Sequence, residues 1–297
     1  MKKLLDEMDR DYTGPALYAE PVFDYLNRCA LLECKRIRNL LEQWFKDFPS
    51  EFQDDLRTRF RSKDDRRHLA AFFELHLHEL LSKSGFSVEI RPVVSNKATH
   101  PDFNVLKDGK PLFYLEATLA ALSDDDTSAK AIENQVYDTL NRMKNQKAIQ
   151  DKATKYGELD LPYIVAINVM DEFGADDIDI SNALFGEEQV TIIFRGNELI
   201  DQRPGRKPNG AWYGPNGPQN KRVSAVLIAV NLNPWKIAKV TPVLWHNPWT
   251  NYPLPPDIWQ LPQLIPDEKD NCLLKKDGRS AWQLLSLCPN WPITKNE

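Results

Sequence analysis

The segment LPYIVAINVM, residues 161 to 170, constrains this chain more than any other. A near-continuous apolar run cannot turn one face to water, so it reads as a strand buried on both sides. It is also too short for the roughly 18 residues of a membrane helix. The elements before it alternate. RRHLAAFFELHLHELLSKSG, from residue 66, is predicted helical, with Ala70, Phe73, Leu77, Leu80 and Leu81 on one side and Gly85 as a left-handed cap. FSVEIRP, PDFNVL and PLFYLEATL read as three strands. A helix is then expected, opened by the cluster from Asp124 to Ser128 and lined by Ile132, Val136, Leu140 and Met143. The predicted order is helix, three strands, helix, strand, which makes the chain an α/β protein.

The flanks differ in character. Residues 1–65 form a helical N-terminal extension, with apolar positions recurring through CALLECKRIRNLLEQWFKDF until Pro49 and Ser50 stop them. Residues 66–170 are the core, and residues 171–297 hold seven of the eight tryptophans, with fourteen of the twenty-one prolines from Pro204 onward. That last region is expected to be irregular chain and short strands pinned by aromatic anchors. The acidic run from Asp171 to Glu188 reads as surface.

Charge and motifs narrow the function. The 38 basic and 43 acidic side chains give a net charge of -5, so contact with nucleic acid must come from local patches on an acidic body. The four cysteines form neither a C-x-x-C nor a finger spacing, which argues against a zinc ribbon or a disulfide scaffold. There is no phosphate-loop, dinucleotide or serine-hydrolase glycine motif. The charged start MKKLLDEMDRD lacks the apolar stretch of a signal peptide, and no membrane segment is present, so a cytoplasmic location is expected.

Strand arithmetic then singles out a pair of acids. Phe103, Val105, Phe113, Leu115 and Ala117 align as one apolar face only if paired positions sum to an even number such as 218. That predicts a three-residue loop, Asp108 to Lys110, and sets Asp102 directly across from Glu116. The opposite face carries Asp102, Asn104, Tyr114, Glu116 and Thr118. Two facing acids at about 5 Å repel and are best stabilised by a cation, and hard oxygen ligands suit Mg²⁺ or Mn²⁺.

Together these residues resemble the PD-(D/E)xK nuclease superfamily, whose restriction-endonuclease-like core has the same α-β-β-β-α-β order, a mixed sheet flanked by helices. Its signature is similar to Pro101, Asp102, thirteen residues, then Glu116, Ala117, Thr118, and the resemblance covers about the middle third of the chain. The resemblance implies magnesium- or manganese-dependent phosphodiester hydrolysis, on DNA first and RNA second, with a setting in restriction or defence against foreign DNA. It implies that Asp102 and Glu116 hold the metal, that Glu74 ligates a second ion or orients its water, and that Gln135 is the nearest match to a further catalytic position on the following helix. Thr118 stands where the family has lysine, a loss worth roughly 3 kcal/mol. Lys130, Lys144 and Lys152 are the candidates to replace it.

Two basic stretches are candidate phosphate contacts. Residues 56–67 carry six basic and two acidic side chains, among them Arg57, Arg59, Arg61, Arg66 and Arg67. Residues 202–222 carry Arg203, Arg206, Lys207, Lys221 and Arg222 around Trp212 and Tyr213, a mixture suited to a backbone and an unstacked base. His76 and His78 are two apart on a helix and cannot chelate one ion, although His78 shares a face with Glu74. His100 reads as a loop residue. Two rival readings stay open. One is a catalytically silent nucleic-acid-binding module. The other is a protein-interaction module, as a homodimer or with a partner docked on Trp235, Trp245, Trp249 and Trp259.

Overall fold

The structure is a computed structural model that describes residues 2–94, 100–121, 147–152, 155, 159–170, 175–266 and 273–293. It is a mixed α/β fold whose eight-stranded sheet is flanked by helices. The strands are β1 (Ser87–Ile90), β2 (Phe103–Lys107), β3 (Lys110–Ala121), β4 (Tyr163–Met170), β9 (Ala225–Val230), β10 (Val243–His246), β11 (Gln263–Pro266) and β12 (Leu273–Lys276), side by side in that order. β3, β4 and β9 run parallel, while β1, β2 and β10 are antiparallel to their inner neighbours.

The run 161–170 does what its composition requires. Val165, Ile167 and Val169 point into one apolar layer, Ile164 and Ala166 into the other. Its one inward amide, Asn168, is fully buried and satisfied by the backbone of Leu232, accepting from its N–H at 3.1 Å and donating to its C=O at 2.8 Å.

On one face lie α1 (Val22–Arg28), α2 (Leu32–Asp47), α3 (Gln53–Phe60) and α4 (Asp65–Lys83). On the other lies α5 (Asp177–Phe185), whose Ile180, Leu184 and Phe185 pack against Val165 and Trp212 in the second layer. The acidic run read as surface therefore also contains a core helix, with the acids Asp176 and Asp179 forming its capping box. The short α6 (Ala281–Leu284) closes against α4.

α4 departs from the expected one-sided helix. It is buried almost all round, including His68, Glu74, His76, His78 and Glu79, because α1 to α3 cover the side that the sheet leaves open. Gly85 follows it with φ of 86°, the left-handed cap expected.

The C-terminal tryptophans and prolines do not make a separate irregular region. β9 to β12 complete the sheet, and ahead of them in the chain lie two separate strand pairs, β5 (Glu188–Arg195) with β6 (Glu198–Arg206) and β7 (Tyr213–Gly214) with β8 (Gly217–Pro218). Trp245 and Trp259 are core residues at 1% and 2% exposure, and Trp235 stacks on Tyr25. A docking surface made of the four tryptophans is thereby corrected. Among the described residues no helix is long and apolar enough to cross a membrane. The predicted helix through Ile132, Val136, Leu140 and Met143 lies outside the described residues, which resume in helix at 147–152.

The hairpin corrects the loop and keeps the face. Asp108 and Gly109 have φ of 52° and 74°, a two-residue turn of the type I′ kind, so Lys107 pairs with Lys110 and Leu106 with Pro111. A bulge next to Val105 then takes up Leu112 as an extra residue and resets the pairing to Val105 with Phe113 and Phe103 with Leu115. The sum of 218 is restored at the end that matters.

Buried histidines make acid stability testable. His76 is fully buried against Trp44 and Phe72, and burial pushes its pKa down to about 3; burial likewise lowers His78, beside Phe48, to about 4. Below pH 6.5 the unfolded chain takes up protons that these folded rings refuse, so stability falls on acidification, by about 1.4 kcal/mol per pH unit for each ring. His76→Leu should flatten that slope relative to the parent between about pH 6 and 4. Urea midpoints measured across this range check it, and equal slopes in the two proteins would disprove it.

Candidate active site

The ladder between β2 and β3 ends at Phe103 and Leu115, so beyond that point β3 is paired on one side only, by β4. At this exposed edge the Ala117 N–H needs an acceptor, and Asp102 Oδ2 supplies it at 2.7 Å. Glu116 sits one residue earlier, on the β3 face it shares with Tyr114, its side chain 2% exposed. α4 delivers Glu74 to the same place. The three acids line a recess of about 220 Å³ together with Arg59, Thr118, Lys152 and Lys155.

Each acid is compensated differently. Glu116 Oε1 accepts from Lys152 Nζ at 2.5 Å and from Lys155 Nζ at 2.7 Å. Glu74 Oε2 is paired with Arg59 Nη1 at 2.7 Å, and Arg59 also binds Asp55 at 2.9 Å. Among the described residues Asp102 has only the Ala117 backbone N–H to stabilise its charge at short range. Burial first, then the charges of Glu116 and Glu74, push its pKa up to about 7, against the pull of Ala117 and Lys152. Tyr163, on the neighbouring strand, is raised well above the usual phenol range by burial first and then by the charges of Glu116 and Asp102.

The site is thus three carboxylates opposed by three cations. Asp102 and Glu116 converge as the strand arithmetic requires, with Thr118 half-buried on the wall beside them. Glu74 reaches the recess but is held by Arg59. His78 does not join it, since its ring turns away to Phe48 at 4.9 Å between centroids. His100 is a loop residue whose Nδ1 lies 3.0 Å from the Pro92 carbonyl. Gln135, Lys130 and Lys144 lie outside the described residues. Lys155 was not singled out in the sequence. It follows Lys152 by three residues, a spacing that would have placed both on one side of a continuing helical turn.

The first basic stretch divides. Arg59 turns into the recess, Arg57 and Arg61 bind the backbone of Lys3 and Leu4, and Arg66 and Arg67 stay exposed. In the second, Arg203 pairs with Asp201, Arg206 with Glu188 at 2.9 Å and Lys207 with Glu187 at 2.6 Å. Lys221 is exposed, Arg222 is half-buried, and Tyr213 packs near Trp249. Trp212 is fully buried against Phe185, so it has no face to offer a base, which corrects that expectation.

A larger recess of about 540 Å³ lies at the N-terminal segment. Its acids already have structural work: Glu42 accepts the backbone N–H groups of Leu4 and Leu5, and Asp6 accepts from Asn27 and Arg61. Among the described residues no group of three or more histidine, cysteine, aspartate or glutamate side chains is disposed to hold a metal ion.

Comparison with protein-family models, with curated proteins and with solved structures finds no match for this chain.

The strain at Asp102 gives a prediction. Asp102→Asn keeps an oxygen for the Ala117 N–H and removes a charge from beside Glu116 and Glu74, so it should stabilise the protein at neutral pH by about 1–3 kcal/mol. Thermal and urea unfolding check this; a loss of stability would mean that the carboxylate charge is needed for folding.

Proposed function

We propose that the protein is a metal-dependent nuclease with a restriction-endonuclease-like core, acting on phosphodiester bonds in DNA in the cytoplasm. The observation that carries this reading is the meeting of Lys152 and Lys155 on Glu116, beside Asp102 and Thr118. The lysine missing from the strand motif has a replacement on the segment ahead of β4.

The donor set fits a hard divalent ion. Magnesium sites commonly take only one or two protein carboxylates, with water and substrate phosphate completing the shell. Asp102 and Glu116 are such a pair. Two ammonium groups on one carboxylate oxygen also mark a point where the surrounding acids favour two unit positive charges. Asp102 and Glu116 would hold the Mg²⁺ or Mn²⁺. When bound, the ion supplies Lewis-acid polarisation of the phosphate and acidifies a water.

The remaining work belongs to the chain. Lys152 and Lys155 offset charge on the phosphate and orient the attacking water. Thr118 offers one neutral hydrogen bond. Arg59 holds Glu74 in place through their ion pair and brings a third cation to the rim of the recess. Asp55 holds Arg59 from behind, and Arg91 in turn binds Asp55, so the arginine is braced by β1's trailing loop.

The silent nucleic-acid-binding module is the second reading, and the charge balance favours it: with three acids against three bases, the recess is neutral without an ion.

Purified protein incubated with plasmid, single-stranded DNA and RNA, in Mg²⁺ or Mn²⁺, separates the two. The expected result is metal-dependent cutting that Glu116→Ala abolishes and that Lys152→Ala or Lys155→Ala lowers by about 10²–10³-fold for the lysine serving as donor. Salt-sensitive binding with no cutting would establish the silent module. Cutting that survives Glu116→Ala would remove the assignment.

A further inference from the structure

Glu116 holds more positive charge than one carboxylate needs. Lys152 Nζ at 2.5 Å and Lys155 Nζ at 2.7 Å both donate to its Oε1, on a side chain that is 2% exposed. A carboxylate oxygen has two lone pairs, and the two ammonium groups take both. An ion that binds this oxygen must take over one of those directions. Holding two like charges on one oxygen costs repulsion, which the other carboxylates of the recess, Asp102 and Glu74, help to offset.

The two lysines do not stand in equivalent places. Lys152 is the nearer to Oε1 and the more buried, at 20% exposed against 34% for Lys155. Its charge also reaches Asp102, where it pulls against the rise in that acid's pKa, so its ammonium lies toward the space the two acids share. Asp102 is fixed at the edge of that space, since its Oδ2 accepts the Ala117 N–H at 2.7 Å.

We infer that the Lys152 ammonium is a built-in stand-in for the divalent ion: it holds the place between Glu116 and Asp102, and the ion loads by displacing it while Lys155 stays on Glu116. This rests on the metal-dependent reading above and adds to it a competition between one side chain and the ion. A magnesium ion sits about 2.0–2.1 Å from a carboxylate oxygen, within about 0.5 Å of an ammonium that approaches along the same direction at 2.5 Å, so the two exclude each other by contact as well as by charge. With the lysine in place the recess is neutral, three carboxylates against three cations. Exchange brings two positive charges and releases one, on an ammonium that is then available to a phosphate oxygen.

Calorimetric titration of the full chain with Mn²⁺, in the absence of nucleic acid, tests this apart from any activity. Lys152→Met removes the charge at nearly the same length and should tighten Mn²⁺ binding roughly ten- to thirtyfold, the upper figure matching the repulsion of a divalent and a univalent cation about 4 Å apart at the dielectric of bulk water. Lys152→Arg keeps a cation and should bind no tighter than wild type. Lys155→Met should gain less than Lys152→Met, and Glu116→Gln should lose binding. Each lysine variant leaves the other ammonium on Glu116, and circular dichroism checks that it folds. Amine labelling of the wild-type chain, read by mass spectrometry, needs no substitution: Lys152 should label faster with Mn²⁺ than without it, and Lys155 at the same rate. If wild type binds Mn²⁺ and Lys152→Met binds no tighter, or Lys155→Met gains as much, the inference is overturned and the metal site stands. Labelling of Lys152 that Mn²⁺ binding leaves unchanged overturns it likewise. Absence of Mn²⁺ binding in wild type and in every lysine variant overturns it together with the metal-dependent reading.

Discussion

Three carboxylates brought to one buried point are the constraint on which this fold turns. Glu74, Asp102 and Glu116 come from a central helix, from the residue before β2, and from the middle of β3. None of these positions can be abandoned to water without opening the core. Their charges are met by cations from segments far apart in sequence, Arg59 from α3 and the two lysines from the stretch before β4. α3 must therefore lie against α4, and Lys152 and Lys155 must both come to the end of β3 that carries Glu116. Helices and sheet are held in register at this point by charge as well as by apolar packing.

Asp102 shows that the compensation is incomplete. Glu116 has two ammonium groups and Glu74 a guanidinium, but Asp102 has one backbone N–H and two acidic neighbours. A structure selected for stability alone would place an amide there. Uncompensated charge at a recess lined by donors is the pattern of sites whose full partner arrives from solution.

Much of this frame was legible in the sequence, and the reasons are specific. The run 161–170 and the apolar alternation through Phe103, Val105, Phe113 and Leu115 report burial on fixed faces, so they specified the central strand and the facing of Asp102 and Glu116. The bulge at Leu112 was not legible, because a two-residue turn with a bulge and a three-residue loop place the same residues on the same faces. The short strands of the C-terminal region were expected, but not that β9 to β12 complete the main sheet, because prolines and tryptophans between short strands give no sign of the partner, although Val226, Ile228 and Trp245 fill the same layer as Val165. The cations of the site were hidden for another reason. Ion pairs between Arg59 and Glu74, or Lys155 and Glu116, join elements whose approach is fixed only by tertiary packing, and no local periodicity records them. Trp212 misled in the opposite sense, since glycines and prolines around it suggested an open loop while its ring packs on Phe185.

In the proposed nuclease, carrying the cation on the segment before β4 and not on the strand has a mechanical consequence. A lysine at position 118 would be fixed by the sheet, whereas Lys152 and Lys155 reach Glu116 from a helical end and the chain beyond it. Threonine at 118 keeps the strand's β-branched preference and leaves room at the recess wall for two ammonium groups instead of one. Both lysines share a single carboxylate oxygen, so each weakens the other's hold through like-charge repulsion. The arrangement sets two cations on one carboxylate oxygen. In the proposed nuclease one of them would meet the phosphate while the other stays on Glu116, a division of labour that a single strand-borne lysine does not allow.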